Sequence, residues 1–234
     1  MSIYAQESVL LRLKYQKGDI YSTEVKMKQI SPTMTNDMVI YAKAKVTDVK
    51  NGKFITENRS NKVTMDMSAM GNTIHYDSTM DESKMDEMVK GIHAQMKPFI
   101  SSTFSVTYDE LGQYSDVAIL KGNADIEQFK EGLKSSTVHH PQKAVKVGSH
   151  WSKKNETNGS ELNTTYTVSK IDTDFVYLSI NGKITGMATG TLTGTAKIDR
   201  KTGTLVSSNT KNTINSMGQE IKIDITILGK LIRK

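Results

Sequence analysis

The 234-residue sequence contains no cysteine, and this absence removes several kinds of chemistry at once. Disulfides, thiolate catalysis and zinc–cysteine sites all require the thiol group. Proline is also scarce, with three residues in the chain. No apolar run approaches the length of about 20 residues that a membrane-spanning helix needs. The sequence therefore predicts no transmembrane segment.

Arginine is the next scarcity, because the net charge of +6 comes almost entirely from scattered lysines. Nucleic-acid sites favour clustered arginines with interleaved aromatic side chains. Aromatic residues make up 6% of the chain, and the arginines stand apart from one another. We therefore predict a solvated lysine-bearing face and no nucleic-acid partner. The arginines are Arg12, Arg59, Arg200 and Arg233.

Motifs of catalysis and of cofactor binding are missing as well. The chain has no Gly-x-Ser-x-Gly nucleophile elbow, no Walker loop and no dinucleotide fingerprint. No histidine pair has the His-x-x-x-His spacing of a helical metal site, so we interpret the histidines as surface or loop residues. We predict no enzyme activity, no catalytic residue, no metal site and no cofactor. The histidines are His75, His93, His139, His140 and His150.

Alternation of apolar and polar residues dominates the sequence and predicts strands. The segment from Val9 to Tyr15 alternates clearly, and we expect it to form an antiparallel hairpin with residues 21–27. Asn51-Gly52 and Asn181-Gly182 are dipeptides typical of hairpin turns. The closing strand alternates strictly. Its isoleucines are Ile221, Ile223, Ile225 and Ile227.

The alternation gives way to helical spacing in the middle of the chain. Thr79 and Glu82 fit a capping box, and we expect Pro98 to end the helix that follows. A weaker helix is predicted from Asp125 to Ser135, and the single tryptophan, Trp151, is expected in the core. The apolar side of the first helix is rich in methionine, a side chain that adapts to irregular apolar guests. This side consists of Met85, Met88, Val89, Ile92 and Met96.

The stretch 183–199 is the most unusual part of the sequence. Its odd positions are mostly threonine and its even positions are small or apolar, which predicts one long strand with a nearly bare face. Glycine in a strand allows a sharp bend or the close approach of another group. Two readings stay open, namely a bend packed against the protein's own helix and the wall of a ligand cavity. The small residues of this face that we assign to the candidate site are Gly186, Ala188 and Gly190.

The two ends of the chain echo each other. Residues 17–22 parallel residues 147–152, and residues 45–49 parallel residues 167–171. We predict a single β-rich domain over 7–234, with similar halves at about 7–78 and 143–228 and a helical insertion at about 79–135. The predicted fold is mainly β (α+β). It is a curved antiparallel sheet or a half-open barrel built from two related β-lobes, with two helices inserted between them.

The first residues, Ser2-Ile3-Tyr4-Ala5-Gln6, look like the end of a signal peptide cleaved after Ala5. Residues 1–6 are therefore interpreted as a signal-peptide remnant or a disordered end. This interpretation predicts a periplasmic, envelope or secreted location.

Several short motifs spread over nearly the whole chain carry a resemblance. They are Lys17-Gly18-Asp19-x-Tyr21, Tyr76-Asp77-Ser78, Pro141-x-Lys143-x-Val145-x-Val147-Gly148-x-x-Trp151, and Thr202-Gly203. With these motifs the sequence resembles a family of uncharacterised secreted or lipid-anchored bacterial domains common among Bacteroidetes. Its general pattern is also similar to that of envelope lipoprotein carriers. The second resemblance implies a curved sheet and plugging helices around an apolar cavity.

We predict a non-enzymatic secreted or periplasmic domain that binds an apolar or lipidic ligand between the sheet and the methionine-rich helix. The expected partner is an apolar small molecule or a lipid. The alternative is an interaction or scaffold module without a cavity, whose partner is an envelope protein. An unfamiliar hydrolase is a third hypothesis that no motif favours. The predicted ligand-binding residues are Met85, Met88, Ile92, Met96, Gly186, Ala188 and Gly190.

Overall fold

The computed structural model describes residues 7–69, 71–136, 138–157 and 159–233. Within these residues, twelve strands form one open, curved antiparallel sheet, and two α-helices accompany it. The predicted mainly-β curved sheet is confirmed. The strands are β1 (Ile20–Ile30), β2 (Met34–Lys50), β3 (Lys53–Ala69), β4 (Asn72–Asp77), β5 (Thr103–Tyr108), β6 (Tyr114–Lys121), β7 (His150–Thr157), β8 (Ser160–Ile171), β9 (Phe175–Gly186), β10 (Ala188–Asp199), β11 (Leu205–Ser216) and β12 (Gln219–Arg233). The helices are α1 (Glu87–Ser101) and α2 (Ile126–Ser136).

The strand order is β6-β5-β3-β2-β1-β12-β11-β10-β9-β8-β7, and β4 pairs with β3 beside β5. Most neighbours are consecutive in the chain and form simple hairpins. The long-range pairing is that of β1 with β12, which joins the first and last described strands at the centre of the sheet. The sheet is open because β6 and β7 lie at its two ends.

The N-terminal segment, residues 7–19, departs from its prediction. The expected hairpin with β1 is wrong, because the hydrogen-bonding edges of β1 are taken by β2 and β12. The segment instead runs extended across other parts of the fold. Val9 exchanges two backbone hydrogen bonds of 2.8 Å with Val145, and Leu13 donates to the carbonyl of Glu110 at 2.8 Å. The alternation correctly indicated one buried and one exposed side of the segment, but alternation does not identify which strand or loop the segment pairs with.

The turns around the unusual stretch also differ from expectation. Asn51-Gly52 makes the predicted hairpin turn, with positive φ at both residues. Asn181-Gly182 does not, because β9 runs through it to Gly186. The chain turns at Met187 instead, so the single long strand predicted over 183–199 is wrong. Gly186 has φ 110°, a conformation that favours glycine.

The first helix begins later and ends later than predicted. A short 3-10 turn at Glu82–Lys84 comes first, and Asp86 caps α1 by accepting a hydrogen bond from the Val89 amide at 2.8 Å. Thr79 is therefore not the helix cap. Pro98 lies inside α1, in its last turn, and Ser102 donates from its side chain to the Pro98 carbonyl at 2.6 Å. The second helix agrees with its prediction within one residue.

Two clusters of buried apolar side chains cover different parts of the sheet. The aliphatic cluster lies where the N-terminal segment and Val145 pack on β8, β9 and β10, and Trp151 packs at its border. The methionine cluster lies where α1 packs on β3 and β4. The buried members of the aliphatic cluster are Val9, Leu11, Val145, Tyr166, Val168, Val176, Leu178, Ile180, Ala196 and Ile198. Those of the methionine cluster are Val63, Tyr76, Met85 and Val89.

The two turns that suggested a repeat share their hydrogen bonds. Gly18 donates to the Val46 carbonyl at 2.9 Å, and Gly148 donates to the Val168 carbonyl at 2.8 Å. Both glycines have positive φ, 96° and 87°. The division into halves at about 7–78 and 143–228 stays a prediction, and residues 1–6 lie outside the described part of the chain.

Candidate functional site

One face of the sheet, here called the inner face, carries most of the apolar side chains. Strand register places Val25 opposite Ile40 on one side and Ile227 on the other, and Ile40 opposite Val63. Because side chains alternate along a strand, every second residue from these positions faces the same way. The opposite face carries mostly lysine and threonine.

The centre of the inner face forms a strip that we call the central trough. Its side chains lie on β1, β11 and β12, and all of them are partly buried. Within the described residues, neither apolar cluster includes them. The trough therefore lies between the part of the sheet under α1 and the part under the N-terminal segment. It consists of Val25, Met27, Ile214, Ile221, Ile223 and Ile225.

The predicted methionine-helix residues divide into two groups. Met85 is 4% exposed and belongs to the methionine cluster, against which Ile92 and Met96 also pack. Met88 is 53% exposed and lies on the other side of α1. Three of the four residues thus face the sheet, and they do so next to Met38, Ile40 and Met65 at one border of the central trough.

The predicted small residues lie at the opposite border of the trough. Gly190 pairs with Ile214 on β11, and Ala188 pairs with Ser216. A Cβ atom at Gly190 would lie 2.1 Å from the Thr213 carbonyl oxygen, and one at Gly186 would lie 2.5 Å from the Gly159 carbonyl oxygen. These glycines therefore accommodate the backbone of a neighbouring strand or turn. This explanation for the lack of side chains differs from the two expected, a bend packed against the helix and the wall of a ligand cavity.

The structure places both predicted groups on the same face but does not bring them together. α1 packs mainly on β3 and β4, while four strands lie between β3 and β10 in the sheet. What lies between the two groups is the central trough. The sequence had shown its isoleucines as an alternating strand, but the pairing of β1 with β12, which sets them beside Val25 and Met27, has no local signal.

Two small clefts lie at the ends of the central strands. The first, of about 280 Å³, is close to the lower limit of about 300 Å³ for ligand sites, and its lining includes Lys14, Asp19 and Leu231. The second, of about 220 Å³, lies near Lys211 and Lys222 on the polar face. Neither of these two clefts is lined by a residue of the trough, so a ligand there would be held along the sheet.

The histidine segment that supports the N-terminal segment is partly buried. His140 lies in a loop, one of the two positions expected for the histidines, but it is buried: it is 5% exposed and hydrogen-bonds through Nε2 to the Gly203 carbonyl at 2.8 Å. Burial lowers the pKa of His140, and the nearby Arg12 lowers it further. Burial, together with the charge of Lys153, lowers the pKa of His139 to about 4. Both rings are therefore neutral at pH 7.

A second electrostatic feature lies beside the methionine cluster. Burial alone would raise the pKa of Asp77, but hydrogen bonds from Lys62 and from Thr79 outweigh burial and lower the pKa to about 2. On the adjoining helix, His93 Nδ1 lies 3.2 Å from the Tyr76 hydroxyl. The Tyr76–His93 contact joins α1 to β4, and the Lys62–Asp77 ion pair joins β3 to β4.

Among the described residues, no group of three or more His, Cys, Asp or Glu side chains could hold a metal ion. In the same part of the chain, neither helix combines the length and the apolar character needed to cross a bilayer.

Comparison with known proteins identifies a family without an assigned activity. The family described as "Family of unknown function (DUF6263)" matches residues 19–205. No curated protein matches the chain.

Two solved structures match the chain, and the first of them is similar in fold. The structure "Lipid-protein interactions in lipovitellin" has a TM-score of 0.56 and 10% identity, covering 93% of this chain. The chain spans about a quarter (25%) of the lipovitellin chain. A DUF1329 family protein from Desulfovibrio piger has a TM-score of 0.28 and 9% identity, covering 93% of this chain and 87% of its own.

Proposed function

The chain belongs to DUF6263, a family of unknown function. Because the family assigns no activity, we propose a function from the structure: a non-enzymatic domain that binds an apolar or lipidic ligand along the central trough. The observation that carries the proposal is the strip of partly buried apolar side chains on β1, β11 and β12 that neither cluster includes. Burial of apolar surface is the main favourable term in binding such a ligand.

The borders of the trough suit a guest of irregular shape. One border is the methionine cluster, whose unbranched side chains can change rotamer to follow a ligand. The other border is the row of small residues on β10, where Gly190 and Ala188 leave little side-chain bulk above the backbone. An acyl chain lying along β1 and β12 would therefore meet apolar atoms, and Asn212 and Thr210 on β11 lie beside it, opposite Ile223 and Ile225.

The likeness to lipovitellin supports the same proposal by analogy. That structure concerns lipid–protein interactions, and its fold is similar over 93% of this chain. A shared fold alone does not show that two proteins bind the same ligand, so the proposal rests on the side chains of the trough. In line with this function, we propose a secreted or periplasmic location for the domain.

Binding of the apolar fluorescent probe N-phenyl-1-naphthylamine to the purified protein tests the proposal. We expect saturable binding, and we expect Ile225→Asn in the trough to weaken it about tenfold, which corresponds to the loss of one apolar side-chain contact. Met27→Gln, which keeps the shape of the side chain, should weaken it in the same direction. Leu228→Asn is the matched control, since Leu228 lies on the polar face of the same strand and is 45% exposed.

Native mass spectrometry followed by solvent extraction would show whether an apolar molecule accompanies the purified protein. The absence of saturable probe binding, or equal effects of Ile225→Asn and Leu228→Asn, would contradict the proposal. Circular dichroism of each variant separates loss of binding from loss of fold.

The open sheet favours a second candidate function, an interaction module of the cell envelope. In the described part of the chain, β7 pairs with β8 only and forms one edge of the sheet, the position at which a partner strand can add. Hydrogen exchange of the β7 amides should slow on adding an envelope extract that contains a partner. Unchanged exchange together with saturable probe binding would favour the ligand-binding domain over this module.

A further inference from the structure

Two methionines stand at the tips of adjacent hairpins and are the most exposed large apolar residues of the described chain. Met217 is 94% exposed at the turn between β11 and β12, and Met187 is 76% exposed at the turn between β9 and β10. The pairing of Ala188 with Ser216 sets the two tips side by side. The pair of tips therefore presents two unbranched apolar side chains to the surroundings.

The backbone at Met217 has a positive φ, which is unusual for a methionine. Met217 and Gly218 have φ of 51° and 77°, which is the pattern of a type I′ turn. The turn at the other end of the sheet has nearly the same values, 51° and 71°, with Asn51 and Gly52. Asparagine tolerates positive φ, whereas an ordinary side chain is strained there. The geometry of the turn therefore does not explain a methionine at its tip.

The two tips also lie at one open end of the central trough. Ile214 pairs with Ile221 on the inner face, a few residues from Met217, and Gly190 lies next to Ile214 on the adjoining strand. The Met187 amide hydrogen-bonds to the Gly159 carbonyl at 3.2 Å, so the tip between β7 and β8 lies alongside. An apolar molecule leaving this end of the trough would pass the two methionines.

The charges around the tips nearly balance. Lys183, Lys211 and Lys222 lie on the same face of these two hairpins as Glu220 and Asp224. Lys211 is opposite Asp224, and Lys222 pairs with Glu220 at 3.1 Å. A polyanionic partner would need a clear excess of positive charge. Protruding apolar tips in a charge-balanced setting fit the fluid boundary of a neutral lipid layer, which needs no shaped pocket to receive them.

We propose that the tips at Met187 and Met217 dock on the lipid–water interface of a zwitterionic membrane and hold the open end of the trough against it. This docking goes beyond the proposed ligand binding and does not require it, because the tips would bind a lipid surface even if the trough stayed empty. The methionines enter the acyl boundary, while the flanking lysines and carboxylates remain among the headgroups.

Co-flotation of the protein with phosphatidylcholine vesicles tests the proposal. We expect the wild-type protein to float with the vesicles, and we expect the double variant Met187→Ser, Met217→Asn to bind at least about tenfold more weakly. Raising the salt concentration should leave the binding of wild type unchanged, because its basis is apolar. Met88→Gln, on α1 and far from the tips in sequence, is the matched control and should bind like wild type.

The same variants also serve as controls for loss of the folded structure. Met217→Asn alone should raise the unfolding temperature, since asparagine suits the positive φ, so weaker binding cannot be assigned to unfolding. Wild-type protein that does not float, a double variant that floats equally, or flotation only with anionic vesicles and only at low salt would overturn the proposal. Ile225→Asn should still float, which separates this test from that of the trough.

Discussion

The aliphatic cluster and the methionine cluster lie on the same face of one sheet, yet they are closed in different ways. The aliphatic cluster has ten buried members, mainly Val, Leu and Ile. Its cover, the N-terminal segment, is held by backbone hydrogen bonds to Val145, Glu110 and Thr202. The methionine cluster has four buried members and eight partly buried ones, on α1 and on the strands and turn that it covers.

The difference indicates which side of the sheet can adapt. Branched side chains have few rotamers and pack closely, so the aliphatic side holds one arrangement. Methionine changes rotamer easily, and α1 is linked to the sheet by side-chain contacts such as Tyr76 with His93. We therefore expect the aliphatic side to supply most of the stability and the methionine side to adjust when the trough is occupied.

The largest effect should come from a cavity in the aliphatic cluster. Leu11 is 1% exposed, and we expect Leu11→Ala to lower the free energy of unfolding by about 3 kcal/mol, because it removes buried contacts and leaves a cavity. Urea denaturation measures this change. Leu10→Ala is the neighbouring control, since Leu10 is 51% exposed. A loss below about 1 kcal/mol for Leu11→Ala would show that the segment does not close the core.

Two glycines, Gly190 on β10 and Gly91 in α1, should respond in opposite ways to substitution by alanine. Gly190→Ala should cost about 2 kcal/mol, because the new Cβ would lie 2.1 Å from the Thr213 carbonyl oxygen. The same substitution at Gly91 in α1 meets no atom within 4 Å and should stabilise the helix by up to about 1 kcal/mol. Thermal unfolding of the two variants should therefore shift in opposite directions, and shifts in the same direction would contradict the prediction.

Acid should destabilise the protein through two histidines that lie beside the aliphatic cluster. The folded-state pKa of His139 is about 4, below its usual value of 6.5, and the pKa of His140 is lowered too. Below pH 6.5 the unfolded chain therefore binds protons that the folded chain does not, and stability falls as the pH drops from 7 towards 4. Unfolding temperatures measured between pH 7.5 and 5.5 test this, since the range spans the ordinary histidine value of 6.5 and stays above the pKa of about 4 of His139.

His139→Gln is the control for the effect of pH, because it removes one of the two groups that resist protonation. We expect its unfolding temperature to vary less with pH than that of wild type. An unfolding temperature that does not change over this range in wild type would show that the two rings are not constrained to be neutral.

The smallest effect should come from a shape-conserving change in the methionine cluster. Met85→Leu is expected to alter the free energy of unfolding by less than about 1.5 kcal/mol, because a volume-conserving exchange repacks with little cost. It should nevertheless weaken binding of the fluorescent probe if adaptation at this border matters. Chemical denaturation and probe titration on the same variant separate the two effects, and a larger loss of stability would place Met85 in a rigid core.

Much of the fold could be predicted from local patterns. The alternation of β12 and the dipeptide Asn51-Gly52 each depend on a few neighbouring residues, and the strand and turn formed as expected. Predictions that required knowing a hydrogen-bonding partner far away in the sequence were less accurate. The N-terminal segment has the alternation of a strand, but what it binds is set by Val145, Glu110 and Thr202, which lie far away in the sequence.

The candidate site shows the same limit. Ile92 and Met96 face the sheet as helical spacing indicated. Met85 is buried too, but it precedes α1, which begins at Glu87 under the cap of Asp86 and not at the predicted Thr79, and Met88 in the first turn is 53% exposed. Asn181-Gly182 was a strong turn signal, but the strand partners on both sides of β9 hold it in the sheet.

The sequence by itself determined that this protein is a β-rich chain with two short helices, because periodicity, caps and turn residues act over a few positions. Only the tertiary structure decided that β1 lies beside β12, and hence that Val25 and Met27 meet the isoleucines of β12 to form the central trough. Pairing between strands separated by about 200 residues (Val25 and Ile227) depends on how the whole sheet curves and closes its clusters. No local pattern encodes that contact, since each strand alternates in the same way whichever neighbour it pairs with.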